Sequence, residues 1–345
     1  MGKRGLHMNK IINGKTVPTL FILFILFVSP SLVSAHVKWF TEVAPEKEMI
    51  ENILSPLFMT LSLLIALFLA VLTQLSEPLV ERIPLLKKLD ISLDRFRKYS
   101  RYLLKYGTAL ALIIQAVSGT IFAPEFPIQD GFVTILLWIT IALLVIPHHF
   151  STKAGSIILL GLFIYQLQIA GLFHMLDYGF YVAIIGVLLV GKTKLENWGF
   201  PFLYLGTGLS LCWVAVEKWV FPVMSIDIIQ NHQVPTFGFP PETFVVLAAF
   251  IEFVVGYLLV VGILNRVLAF VLTLIFISTT MLFGITEIIG HFMIHIVLII
   301  FIIEGVSFYD PPIKIHKSLL NQMIFVFLNF LFVLATFLLI YYRFA

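Results

Sequence analysis

The feature of this sequence that most constrains its fold is a series of apolar stretches, most of them close to the 20 residues that an α-helix needs to cross a bilayer. Only 12% of the 345 residues are charged, about half of the fraction in soluble domains. The sequence therefore predicts an all-α polytopic membrane protein with about ten transmembrane helices. The predicted spans are 52–75, 102–123, 131–147, 155–173, 178–191, 201–221, 243–264, 267–286, 288–304 and 320–342.

The first 35 residues have the pattern of a cleavable signal peptide. Four basic residues precede an apolar run over 17–28, and Val33-Ser34-Ala35 then fits the small-residue cleavage pattern. Cleavage after Ala35 would leave His36 as the first residue of the mature chain. An uncleaved first helix is the alternative.

The distribution of basic residues predicts the orientation of the chain. Loops on the cytoplasmic side of membrane proteins carry an excess of Lys and Arg. If the mature N-terminus is outside, the inner loops hold fourteen of the 22 Lys and Arg and the outer segments hold four. We therefore predict a multi-pass protein of the plasma membrane with its mature N-terminus and its C-terminus outside.

An internal repeat divides the chain. The pattern Gly107-Thr108-x-Leu110-x-Leu112 recurs 99 residues later as Gly206-Thr207-x-Leu209-x-Leu211. The two copies lie at the same topological position, which predicts two parallel four-helix units related by an axis along the membrane normal. The predicted divisions are a signal (1–35), an N-terminal part with the first span and a basic inner loop (36–101), a first unit (102–198), a second unit (199–305) and a C-terminal part with the last span (306–345).

Ionisable residues are costly inside a membrane and often functional. Glu252 falls near the middle of the seventh predicted span, and Glu217-Lys218 ends the sixth. A carboxyl group at the position of Glu252 is protonated, paired with a histidine or Lys218, or part of a proton relay. We take Glu252 and Glu287 as the candidate catalytic residues, and Glu217 and Lys218 as candidate cofactor-binding residues; a solvated helix end is the alternative for that pair.

The motif Glu287-x3-His291-x3-His295 lies at the start of the ninth predicted span. At 100° per residue, the three side chains fall within about 80° of one helix face. His291 and His295, about 6 Å apart along the axis, have a spacing that suits one metal ion. Glu287 would support the metal-binding histidines from outside the metal's own ligands, or would take part in a proton path. A purely structural role between packed helices is equally open.

Three other histidines are candidates for a metal site. His36, as a mature N-terminus, would offer an amine and an imidazole, a donor set that suits copper when another histidine joins it. His174 and His232 lie on predicted outer connections. The resulting hypothesis is that these three residues converge with His291 and His295 on a copper ion or another transition-metal ion.

The second unit carries a distinctive set of residues: Gly208, Trp213, Glu217 and Lys218, then Gly238-Phe239-Pro240, then Glu252-x3-Gly256-x5-Gly262-x3-Arg266. With these residues the segment 206–305 resembles the DoxX/DoxD family of four-helix membrane proteins, and 102–198 resembles it in degenerate form. The resemblance implies a membrane component of redox systems: DoxD proteins are subunits of a thiosulfate:quinone oxidoreductase, and DoxX proteins associate with other oxidoreductases. It also implies a role for Glu252 and an inner-face anchor at Arg266.

Three hypotheses about function follow. The leading one is a DoxX-like membrane subunit associated with redox chemistry near the outer face, with a quinone or an extracytoplasmic electron-transfer protein as its partner. The second is copper binding or handling by the outer histidines, and the third is a non-catalytic transporter or scaffold. The single cysteine excludes internal disulfides and cysteine-attached haem. A net charge of +3 argues against nucleic acid as a partner and leaves membrane lipids as the surroundings.

Overall fold

The computed structural model describes residues 37–82, 88, 91–263, 265–305 and 318–345. The predicted signal peptide and His36 lie outside the described residues. The longer helices are α1 (Pro56–Arg82), α2 (Ser100–Val117), α3 (Gly131–Val145), α4 (His149–Ala170), α5 (Phe180–Val190), α6 (Gly199–Val220), α7 (Pro222–Asn231), α8 (Pro241–Val261), α9 (Asn265–Phe283), α10 (Ile285–Glu304) and α11 (Leu319–Phe344). Short helical turns lie at Val37–Trp39, Ile50–Ile53, Arg97–Tyr99, Leu172–Met175, Leu176–Tyr178 and Glu196–Trp198, and two short strands are β1 (Thr120–Ile121) and β2 (Ala123–Pro127).

Within the described residues, seven helices are long and apolar enough to cross a bilayer: α1, α4, α6, α8, α9, α10 and α11. The turns over Leu172–Tyr178 together with α5 would make an eighth span, bent by 63°. Of the other two predicted spans, α3 is a shorter apolar helix, and α2 carries Arg101 and Lys105 in its first two turns. The prediction of an all-α polytopic membrane protein is confirmed.

One local prediction is wrong. The predicted span over 102–123 ends as a helix at Val117, and an antiparallel hairpin of β1 and β2 follows. Gly119, at φ 72°, turns the chain out of the helix, and Gln115 Oε1 accepts a hydrogen bond from the backbone N–H of Phe122. The outer connection that carries His232 contains a helix, α7, which begins at Pro222 because proline suits the first helical position.

Helices α6 and α8 pack in direct backbone contact. Gly208 and Gly256 face each other there, and a Cβ atom on either would lie 2.6 Å from the backbone oxygen of the other. Small residues let membrane helices approach this closely and gain van der Waals contact along their backbones. Farther along the same helix pair, Lys218 of α6 meets Glu252 of α8.

The glycines of the internal repeat make related contacts. A Cβ atom on Gly107 of α2 would lie 2.5 Å from Ile296 of α10, and one on Gly206 of α6 would lie 2.5 Å from Ala183 of α5. The first helix of each predicted unit thus packs on the last helix of the other. This is the arrangement that a two-fold axis along the membrane normal would give; the division into two units stays a prediction.

The two ends of the bundle differ in charge. Arg101 lies beside Gly199 at the start of α6 and forms an ion pair with Glu196, at 3.0 Å. Lys38 lies beside the other end of α6, which is 22 residues and about 33 Å long. We call these the Arg101 end and the Trp39 end; they correspond to the predicted inner and outer sides.

Candidate functional site at the Trp39 end

A small polar cavity lies inside the bundle near the Trp39 end. Asp177 from the turn before α5, Glu252 from α8 and His291 from α10 line it, together with Thr207 and Trp39. Its volume of ≈ 30 Å³ has room for about one or two water molecules. The cavity therefore suits water and protons, and a quinone ring does not fit in it.

Asp177 is completely buried and shares a lysine with a second carboxylate. Lys38 Nζ lies 2.6 Å from Asp177 Oδ2 and 2.8 Å from Glu217 Oε1. Burial by itself lowers the pKa of Lys38, but the two carboxylates outweigh it and raise the pKa above its usual value. Tyr341 of α11 also hydrogen-bonds to Glu217. The N-terminal segment, α6 and α11 therefore meet at one buried charge cluster.

Glu252 pairs with Lys218, one of the three alternatives for Glu252 that the sequence left open. Lys218 Nζ hydrogen-bonds to Glu252 Oε2; the lysine side chain is fully buried, whereas the glutamate side chain is 19% exposed and lines the cavity. The pair holds opposite charges together at membrane depth, which offsets part of the cost of burying each.

His291 is backed by Glu287 one turn away on α10. His291 Nδ1 lies 2.8 Å from Glu287 Oε1, an ion-pair distance, although the angle is not that of a hydrogen bond. Both side chains are buried. Two aromatic rings enclose the imidazole, with Trp39 at 4.8 Å and Phe276 at 4.5 Å between ring centroids. This is the pair that the spacing of the motif predicts to share a face.

A second polar chain starts from Trp39. Its Nε1 donates to Tyr178 Oη at 2.9 Å, Tyr178 donates to Glu125 of β2, and His174 Nε2 lies 2.9 Å from the same Glu125 oxygen. Burial raises the pKa of Glu125, but hydrogen bonds from His174 and Tyr178 and the charge of Lys38 lower it below its usual value.

The predicted metal-site histidines are not brought together as ligands. His174 contacts Glu125, and His232 packs edge-on against Phe40 and Phe283 at 5.9 and 5.2 Å between ring centroids. Throughout the described ranges, no three His, Cys, Asp or Glu side chains are grouped so that they could hold a metal ion. His291 instead contacts Trp39 and His232 contacts Phe40; His174 is linked to Trp39 through Glu125 and Tyr178.

His295 lines an apolar groove between α9 and α10, with a volume of ≈ 170 Å³ and walls from Ile277, Met281 and Phe292. The two histidines share a helix face, as predicted, and both contact the ring of Phe276, at 4.5 Å from His291 and 6.0 Å from His295 between ring centroids. His291 lines the small cavity, whereas His295 lines the groove.

Sequence reasoning missed the parts of the site that lie far apart in the chain. Lys38 and Trp39 precede the first span, and Glu125 is in a hairpin, two residues beyond the predicted end of the second span at residue 123. The charge of Lys38 next to two aromatic residues is the only signal in the N-terminal segment, and nothing in it indicates which acids the lysine meets.

The family comparison bears on part of this site. The DoxX family model matches residues 206–285. This segment is a DoxX-like domain. It contains the charge pair of Lys218 and Glu252 and the glycines of the close helix contact, as the resemblance predicted. The DoxX-like match ends at Ile285, so Glu287, His291 and His295 lie beyond it. No curated protein and no solved structure matches the chain.

Proposed function

We propose that this DoxX-like membrane protein is a subunit of a redox system in the plasma membrane, with its Trp39 end outside. In this role its ionisable cluster carries protons for a lipid-soluble quinone. The observation that carries the proposal is the composition of the cavity: Asp177, Glu252 and His291 line it. Each has an ionisable neighbour. Lys38, which also binds Glu217, lies beside Asp177. Lys218 lies beside Glu252, and Glu287 lies beside His291.

Paired ionisable groups around water are suited to proton transfer. A lysine beside each of Asp177 and Glu252, and a carboxylate beside His291, would let a proton arrive or leave without creating an isolated charge in the membrane. A carboxylate and an imidazole within reach of the same water can exchange a proton through that water. Glu252, with part of its surface on the cavity, is the proposed exchanging carboxyl group.

The proposed position for a quinone ring is the groove beside His295. A cavity of about 150 Å³ in another protein admits benzene, so a volume of ≈ 170 Å³ admits one ring. The walls are apolar, and His295 is the ionisable group at its edge. A quinone takes up two electrons and two protons when it is reduced; the imidazole would hydrogen-bond to a quinone oxygen, and the electrons would come from a partner protein.

Binding of a short-chain quinone analogue tests the quinone part. With the protein in lipid nanodiscs, we expect saturable binding, and His295→Leu should weaken it about tenfold, the effect of losing roughly one hydrogen bond of 1.4 kcal/mol. The matched control is Thr280→Val, which keeps the shape of the groove wall. If binding does not saturate in protein that is folded by circular dichroism, or if His295→Leu binds like the parent, the quinone position is wrong.

Infrared difference spectra recorded while the bound analogue is reduced electrochemically test the proton part. A carboxyl C=O band should change on reduction and should disappear in Glu252→Gln. Glu46→Gln, at an exposed position, should keep the band. A band that survives in Glu252→Gln would remove this residue from the proposed proton path.

A further inference from the structure

We infer that residues Lys38 to Thr41 form a tethered lid, which closes the polar cavity to the medium at the Trp39 end. This inference concerns access to the cavity and does not depend on whether quinone binds. The lid is the part of the N-terminal segment that docks into the bundle, where Trp39 contacts His291 and Phe40 contacts His232.

Every residue of the lid contacts the bundle. Trp39 donates to Tyr178, and Thr41 Oγ1 donates to Asp227 Oδ2 at 2.7 Å. Phe40 packs on Phe283 of α9 at 4.6 Å between ring centroids. Lys38 bonds to the two buried carboxylates described above. This short segment therefore contributes the ion pairs of Lys38, an aromatic contact and two hydrogen bonds.

Trp39 is the lid residue that lines the cavity. Its indole occupies the space above Gly290, where a Cβ atom would lie 2.0 Å from the ring. Glycine at 290 is therefore required for the indole to seat against His291. Because the ring lies on the cavity at this end, removing it would expose Asp177 and His291 to water.

An exposed connection joins the lid to a fixed point. Residues 42–47 are exposed, whereas the backbone N–H of Glu48 donates to the carbonyl of Val220 at 2.9 Å. Lys47 also hydrogen-bonds to the carbonyls of Tyr342 and Ala345. The exposed connection contributes little packing, so the lid can leave as a unit while its anchor stays in place.

The accessibility of a cysteine in the cavity tests the lid. Thr207 lines the cavity and is close to cysteine in size, and replacing the natural Cys212 by alanine makes Thr207→Cys the single thiol. The probe is a membrane-impermeant maleimide added to the protein in nanodiscs. When opening is fast, the reaction rate follows the population of the open form.

We expect slow labelling with the intact lid and labelling at least about tenfold faster in Trp39→Ala. Gly290→Ala should have the same effect, because its Cβ displaces the indole without changing the lid itself. Trp138→Ala, at a position exposed on the outside of α3, should leave the rate unchanged.

Folding of the lid variant is checked with the natural Cys212, which is buried between α6 and α8. It should stay unreactive in Trp39→Ala that otherwise has the natural sequence. Equal labelling of Thr207→Cys with and without Trp39, whether fast or slow in both, would overturn the inference, because the indole would then not be the barrier.

Discussion

Gly208 of α6 and Gly256 of α8 cross in backbone contact, with no room for a Cβ atom on either residue. The contact lies within the DoxX-like segment and brings Lys218 next to Glu252. Close packing of two backbones at this crossing thus determines both the geometry of the second unit and the position of its central charge pair.

Gly208→Ala should destabilise the protein by about 1–3 kcal/mol, the usual cost of overpacking, because the opposing atom is backbone and cannot turn away. The measurement is the free energy of unfolding in mixed detergent, followed by circular dichroism. Gly161→Ala is the matched control, since nothing lies within 4 Å of its Cβ position on α4. Equal stability of Gly208→Ala and the parent would contradict the close crossing.

The ion pair of Lys218 and Glu252 should give a large coupling energy in the free energy of unfolding. Lys218→Met leaves Glu252 without its partner and should cost about 3–5 kcal/mol, as expected when one member of a buried pair is removed. Glu252→Gln should also destabilise, and the double variant should recover much of the loss. Unfolding free energies of the four proteins give the coupling energy, and Lys194→Met at an exposed position serves as the control. Additive effects would exclude a direct ion pair.

Gln115 should hold the hairpin after α2. It accepts from the backbone of Phe122 and donates to Tyr181 Oη at 2.8 Å. Gln115→Leu leaves that buried N–H without an acceptor and should cost about 1–3 kcal/mol. Hydrogen exchange should also become faster at Phe122. Gln168→Leu, at an exposed position on α4, should have little effect on either measurement; equal effects of the two variants would contradict the role of Gln115.

The Glu125 cluster should make stability depend on pH. The pKa of Glu125 is lowered in the folded protein, so its contribution is present above the ordinary value of 4.5 and is lost as the pH falls through the lowered pKa. Glu125→Gln should therefore lower stability at pH 7, by about 1.5–3 kcal/mol for hydrogen bonds to a charged group. The difference in melting temperature from the parent should shrink in acid. A difference that is constant from neutral to acidic pH would contradict the lowered pKa.

The sequence by itself determined the class of fold and much of the local structure. Long apolar stretches with few charges have no stable solution other than membrane helices, which satisfy their own backbone hydrogen bonds. Spacing along one helix also placed His291, His295 and Glu287 on one face, and the glycine and acid pattern over 206–285 was enough to identify the DoxX-like segment. These are properties of neighbouring residues, which a sequence records directly.

Only the tertiary structure decided which distant groups meet. Lys38 could pair with any acid at its end of the bundle; helix packing chose Asp177 and Glu217, far away in the chain. Packing also set the ring of Phe276 against two histidines that share a helix face, and placed Trp39 against His291 and Phe40 against His232. Apolar helices carry little information about their order in the bundle, because many arrangements bury similar surfaces, and close contacts such as that of Gly208 with Gly256 select one of them.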